Sequence, residues 1–288
     1  MERLTIFNQY RSLLFAIAYR MLGKVSDADD LVQETWIRWQ LTKTTVTQPK
    51  AFLSSTIYRL CIDKLRAARR EREKYVGVWL PEPLLTDRDT SDRLELAESL
   101  SFAFLTLLEC LSPTERAIFL MREVFDYDYS EIAKIVGKSI PNCRQIVCRA
   151  RQHLVLRRPH IDPSQSQKQE IIEQFLSSWH RGDLEKLIAL MAEDITFWSD
   201  GGGKVTAVRQ PLSGCQKVAR FLVAIRHSRL IPQLSSQIVE INYQPGILNL
   251  VEGKTQSIFC FAFSEQNISN IFAVVNPDKL INVSIQSP

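Results

Sequence analysis

Asp200-Gly201-Gly202-Gly203-Lys204 has the residue types of a phosphate cradle: three of the chain's ten glycines stand in a row, and a lysine follows. A P-loop needs a glycine, four further residues and a glycine-lysine followed by serine or threonine, set between a strand and a helix. Here Val205 follows Lys204 and the β-branched run Val205-Thr206-Ala207-Val208 continues. The magnesium-binding hydroxyl and the helix N-terminus are both missing. The pattern instead predicts a hairpin turn between Phe197-Trp198-Ser199 and Lys204-Val208, because glycine accepts positive φ freely. Three glycines exceed what a turn needs, and bare backbone lets another surface approach closely.

Other reactive side chains are scattered. Asp194, Asp200 and His180 could supply general acid–base chemistry, but they form no recognisable catalytic constellation. The six cysteines (61, 110, 143, 148, 215 and 260) include no CxxC pair. Neither a disulfide framework nor a metal site is therefore expected, and reduced thiols in a cytoplasm are the plain reading. No cofactor is implied. No run of eighteen apolar residues spans a membrane, and the start is not a signal peptide.

The elements that would position these groups fall into two textures. Helical periodicity runs over about 2–22, 26–40 and 49–75 and resumes near Leu94; beyond the linker at 159–167, one helical stretch gives way to alternating or β-branched runs. Five segments result: a helical domain at 1–76, an acidic linker at 77–98, a second helical domain at 99–158, the linker at 159–167, and an α+β domain at 168–288. Charge sorts with them. Residues 1–158 hold 25 basic and 20 acidic side chains, and the rest hold 11 and 12. Lys134–Arg158 has seven basic residues and no acid, whereas Trp79–Glu98 has two basic residues and six acids.

Tyr129–Leu154 reads as a helix-turn-helix with Gly137 at the turn. Cys143, Val147, Ala150 and Leu154 make one buried stripe, leaving Arg144, Gln145, Arg149 and Gln152 free to meet phosphates and base edges in a major groove. Upstream, Ile57, Leu60, Cys61 and Leu65 make the buried stripe of a second basic helix, with Arg59, Asp63, Arg66 and Arg70 on another face. Ser112-Pro113-Thr114-Glu115 is a capping box. Ser26 would cap a helix whose first turns carry Asp27, Asp29, Asp30 and Glu34. Acids suit a helix N-terminus but repel DNA, so this face needs a protein partner or water.

Three ordered segments carry a family resemblance: DADDLVQETWIRW, AFLSSTIYRLCIDKLRAARR, and LSPTERAIFLMREVFDYDYSEIAKIVGKSIPNCRQIVCRAR. They resemble the polymerase-binding helix, the −10-reading helix and the −35-reading domain of extracytoplasmic-function sigma factors. The resemblance implies that Asp29, Asp30, Gln33, Glu34 and Trp36 face the clamp helices of core RNA polymerase. It places Arg59, Asp63, Lys64 and Arg66 on the −10 strand, with Arg69 and Arg70 behind on phosphates. Arg144, Gln145, Arg149 and Arg151 would address the −35 duplex of promoter DNA. Pro141 and Cys143 are unusual in such a recognition helix, so its base preference does not carry over.

The last 120 residues resemble the SnoaL-like fold, a cone of helices against a curved antiparallel sheet with an interior pocket. Three marks of the SigJ-like group are present: Trp79-Leu80-Pro81-Glu82-Pro83-Leu84, then Asp200 to Lys204, then Asn276-Pro277-Asp278-Lys279-Leu280. They imply a non-enzymatic chain regulated from within, without a separate anti-sigma factor, its free form a monomer. The apolar WLPEPL stretch would dock near DGGGK with Glu82 available to Lys204 or Lys279, so Lys204→Ala and Trp79→Ala should be non-additive. Two rivals stand beside this reading. One is an enzyme of the polyketide-cyclase or ketosteroid-isomerase type, or a ligand-sensing pocket lined by Trp179, Phe197, Trp198, Phe221, Phe259 and Phe261, aromatics that equally suit a core. The other is a helix-turn-helix regulator that needs no polymerase; the acidic helix argues against it.

Overall fold

The computed structural model describes residues 2–72, 74–86, 101–155, 163–227 and 234–283. The chain packs into two compact units, Met1–Glu73 with Leu107–Arg157, and Lys74–Thr106 with Arg158–Pro288. The acidic residues 88–98, the 98/99 boundary and residues 159–162 of the 159–167 linker lie outside the described residues.

The first unit is helical. Helices α1 (Glu2–Leu22), α2 (Val25–Leu41) and α3 (Pro49–Arg72) bury Leu14, Ile17, Tyr19, Ala28, Leu53, Ile57 and Cys61. Helix α2 starts one residue before the expected cap: Lys24 holds the N-cap position without a side-chain hydrogen bond, and Ser26 sits exposed in the first turn. Helix α4 (Phe102–Leu108), whose residues up to Thr106 count with the second unit, leads to α5 (Pro113–Glu123), whose Ser112–Glu115 capping box is fully formed. Helix α6 (Tyr129–Val136) has its own capping box, Asp128 with Glu131, and ends on Gly137 at φ 66°. Helix α7 (Ile140–Val155) follows, with Cys143, Val147, Ala150 and Leu154 all buried. Arg116, 2% exposed, ties α5 to α1 by donating to Met21 O and pairing with Glu109, both at 2.7 Å.

In the second unit, α8 (Gln165–Arg181), α9 (Leu184–Ala189) and α10 (Cys215–Arg226) cover a sheet of strand order β2-β1-β6-β5-β4-β3. The strands are β1 (Met191–Asp200), β2 (Leu212–Ser213), β3 (Ser235–Ile241), β4 (Gln244–Val251), β5 (Lys254–Ser264) and β6 (Asn267–Val274). The sheet is mixed rather than antiparallel throughout, because β1 runs parallel to β6. The expected hairpin is absent too: the glycines make a turn, but Val205–Val208 is not a strand, and the antiparallel neighbour of β1 is β2. The ladders are interrupted by register shifts in β1, at Asn249/Leu250 and at Ala262/Phe263, of the kind by which bulges bend a strand.

Both faces of this sheet are buried. On β5, Phe259, Phe261 and Phe263 point into the helix-covered core, while Ile258, Cys260 and Ala262 point to the opposite side. Period-two alternation with no polar parity needs a cover on each face. The second cover combines the segment after α3, through Leu80 and Phe102, with the chain after β6, through Leu280 and Val283; Val78, Leu85 and Trp198 lie at the margin. Each Leu or Phe buried this way contributes about 1.5–3 kcal/mol relative to exposure.

Candidate nucleic-acid interface and the linker cluster

The acidic face of α2 is built as an outward stripe. Val25, Ala28, Leu31, Val32, Thr35 and Trp39 turn inward, leaving Asp29, Asp30 and Gln33 exposed and Glu34 half-buried. Glu34 accepts from Arg38 at 2.8 Å, and the Trp36 ring lies 4.9 Å from Phe7. Ile37 and Leu41, 47% and 72% exposed, extend the row of Asp30 and Glu34 along the helix. Sequence reading missed them; the signal was two large apolar residues at i, i+4 in phase with the acids.

The basic residues of α3 are engaged. Arg59 donates to the carbonyls of Ile135 (3.2 Å) and Lys134 (3.3 Å) at the end of α6. Arg66 reaches Thr114 Oγ1 at 3.4 Å and lies 3.8 Å from Asp63. Lys64 pairs with Asp27 of α2 at 3.3 Å. The side chains of Arg69 and Arg70 lie outside the described residues. Tyr58 OH is buried without a hydrogen-bond partner among the described residues. Burial of Tyr58 and the neighbouring Tyr127 push its phenol well up.

On α7, Arg144, Gln145 and Arg149 are exposed on the face opposite the buried stripe. Arg151 is not free: Glu123 of α5 accepts from it twice, at 3.0 and 2.8 Å. Arg144 lies over the Tyr129 ring at 5.5 Å.

The linker cluster centres on Asp200, which is fully buried at the end of β1. Its Oδ2 accepts from Leu80 N (2.8 Å) and Lys279 Nζ (2.6 Å), and its Oδ1 accepts from Tyr75 OH (2.5 Å) and Gly202 N (3.0 Å). Lys279, 5% exposed, also donates to Leu80 O and lies 4.1 Å from the Trp79 ring centroid. Asn276 donates to Tyr75 OH at 2.9 Å. Burial, and after it the hydrogen bond to Asp200, push the Tyr75 phenol well above its ordinary value. Further along, Leu84 exchanges hydrogen bonds with Asn242, and Leu85 bridges Ile241, so the linker extends the β3 edge.

The glycines fit this arrangement. A Cβ on Gly202, at φ 60°, would fall on the Asn276 amide, and one on Gly203 would press on Val76 at 3.1 Å. The Glu82 pairing is different from the one expected. Glu82, 2% exposed, accepts from Asn282 at 3.0 Å, and Lys204 pairs instead with Asp278 at 2.6 Å. Tyr75, Asn242 and Asn282 were not foreseen.

The acid–base candidates do not converge. Asp194 and His180 are exposed, while Asp200 is consumed by the linker. Trp179, Phe197, Phe259 and Phe261 are core residues, Phe221 packs against that core, and Trp198 lies on the other face of the sheet.

Residues 6–71 match the family model for Sigma-70 region 2, and residues 101–154 match that for Sigma-70, region 4. The chain is 32% identical over 287 residues to the ECF RNA polymerase sigma factor SigJ of Mycobacterium tuberculosis, covering 95% of this chain and 91% of that one. The ferric citrate uptake sigma factor FecI of Escherichia coli is 28% identical over 159 residues, 53% of this chain and 88% of its own. The crystal structure of M. tuberculosis SigJ resembles this one with a TM-score of 0.79 at 28% identity, covering 99% of this chain and 100% of that one.

Proposed function

Because the chain belongs to the extracytoplasmic-function RNA polymerase sigma factors, we propose that its C-terminal α+β domain regulates in cis a factor that binds core polymerase and directs initiation at promoters. The factor does no bond chemistry; the polymerase is the catalyst. Phosphate contacts give it salt-dependent affinity, and a few base-edge contacts give it specificity. The acidic stripe of α2, with Ile37 and Leu41 on its margin, is the polymerase-facing surface. Arg59, Asp63, Lys64, Arg66, Arg69 and Arg70 serve the −10 strand, and Arg144, Gln145 and Arg149 serve the −35 duplex.

One observation carries the regulatory part: the carboxylate of Asp200 takes the backbone of Leu80 and the Lys279 ammonium in one buried cluster. The segment between the two promoter-reading modules is thereby held on the C-terminal domain, which sets how much chain is free to separate them. Such a domain takes the place of a separate anti-sigma protein, and the free chain is a cytoplasmic monomer. A second requirement follows from Arg59. A guanidinium committed to the carbonyls of Lys134 and Ile135 has to leave them before it meets a DNA strand, so α3 and α6 part on promoter engagement.

Reconstituted transcription with core polymerase tests both levels. The wild-type chain directs specific starts, and Trp79→Ala or Lys279→Ala alters promoter output with core binding unchanged. Absence of any specific start defeats the initiation reading. Unaltered output from linker variants shown to be undocked defeats regulation in cis.

A further inference from the structure

The recognition helix α7 is fastened at two places by Tyr129 and Glu123, which no part of the reading above uses. Near its start, Arg144 lies over the ring of Tyr129, at 5.5 Å. Arg122 of α5 lies over the same ring at 5.1 Å and is itself anchored by donating to Tyr127 O at 3.0 Å. One aromatic ring at the N-terminus of α6 thus joins guanidinium groups from α5 and α7. Near the end of α7, Arg151 makes its two hydrogen bonds to Glu123. The buried stripe from Cys143 to Leu154 seats the helix between these points. A guanidinium fork has fixed donor geometry, so an Arg already resting on a ring loses less freedom when it meets a base edge. An Arg whose donors are filled by a carboxylate has few left for a phosphate, and that carboxylate repels the backbone.

We propose that Tyr129 and Glu123 are positioning residues for promoter recognition. Tyr129 aims Arg144 at the duplex, and Glu123 holds Arg151 as a fastening of α7 rather than as a DNA contact. The inference rests on α7 being the duplex-reading helix. It differs from what the family resemblance implies for Arg151, and it adds a residue from α6 to the reading surface.

The test uses the full chain with core polymerase and a pool of duplexes randomised over the upstream promoter element. Wild type should enrich a sequence, and Arg144→Ala should lose preference at particular base positions. Tyr129→Leu should weaken preference at those same positions by roughly two- to five-fold, the size of an exposed cation–π contact, while Tyr129→Phe retains it. A merely structural role would lower binding equally at all positions. If Tyr129→Leu also loses core-polymerase binding, Tyr129→Gln repeats the measurement with a polar, helix-compatible side chain. For the second fastening, Arg151→Ala should leave the salt dependence of binding unchanged. A phosphate contact at Arg151 would instead lower the slope of log K against log salt by about 0.9 in that variant. That result overturns the assignment of Arg151. Full discrimination in Tyr129→Leu overturns that of Tyr129. Indifference of Arg144→Ala overturns the underlying reading of α7.

Discussion

At the scale of single residues, the Asp200–Lys279 pair is the one whose removal should be felt most. Both partners are withdrawn from water, and the carboxylate is saturated by four donors. Removing one partner of a buried pair costs about 3–5 kcal/mol, because the other charge stays behind. Lys279→Met should therefore lower the stability of the α+β unit by about that amount, read by urea unfolding and tryptophan fluorescence. The double variant Asp200→Asn, Lys279→Met should recover part of the loss; strict additivity would mean that the two groups do not hold each other. The Lys204–Asp278 pair, which the sequence reading did not anticipate, is the weaker one. Lys204 and Asp278 are 55% and 56% exposed, and such surface pairs contribute about 0–1 kcal/mol. Trp79→Ala should accordingly couple to Lys279→Ala and not to Lys204→Ala. The three short motifs were legible as marks, but their internal pairing was not. Sequence shows which lysines are near a loop, and only the path of the linker decides which of them is buried.

At the scale of elements, the helices could be read because their signals are local. Ser112 and Glu115 close the capping box of α5 with residues three apart, and the hydroxyl of Ser112 holds the Glu115 carboxyl below its ordinary range. Ser112→Ala should cost about 1 kcal/mol at neutral pH. A carboxyl lowered in the folded state stabilises above its unfolded pKa and stops doing so as pH falls through the folded one. The cost of Ser112→Ala should thus shrink in acid, which thermal melts of the variant and wild type at neutral and low pH would show. Strands were harder. The apolar runs located most of them, yet the parallel pairing of β1 with β6 depends on residues some seventy positions apart. A β-branched run after the glycines imitates a strand, but on that side β1 takes β2 as its antiparallel partner, at Thr196 and Phe197. The outer cover of the sheet did have a signal: QSIFCFAF is apolar on both parities, and an antiparallel strand with one wet face would not be. The linker that supplies part of this cover is short, charged beyond Thr86, and looks like solvent-exposed chain until the second face is asked about.

At the scale of the whole molecule, the consequence is one of reach. Thirty-three residues, 74–106, separate the two helical parts of the first unit. Fully extended, each residue spans at most about 3.3–3.6 Å, so a free linker would allow a wide range of separations between the two promoter-reading modules. Docking removes residues 75–86 from that free length through Tyr75, Leu80, Glu82, Leu84 and Thr86. A tethered second contact is strongest when the tether matches the span, and it weakens as the tether grows. The docked linker should therefore make initiation sensitive to the distance between the −35 and −10 elements. Transcription from templates whose spacer is lengthened or shortened by one to three base pairs measures this directly. Wild type should show a narrow optimum, whereas Trp79→Ala with Lys279→Ala should broaden it and lower the peak. Truncation after residue 165 should broaden it further, since it removes the docking surface altogether. An equally narrow optimum in all three chains would mean that the polymerase, and not the α+β domain, fixes the spacing. The undocked variant also reports on itself, because cleavage by chymotrypsin at Tyr75 should rise with the loss of burial. Faster cleavage with an unchanged spacer optimum would separate a linker that merely packs from one that governs reach.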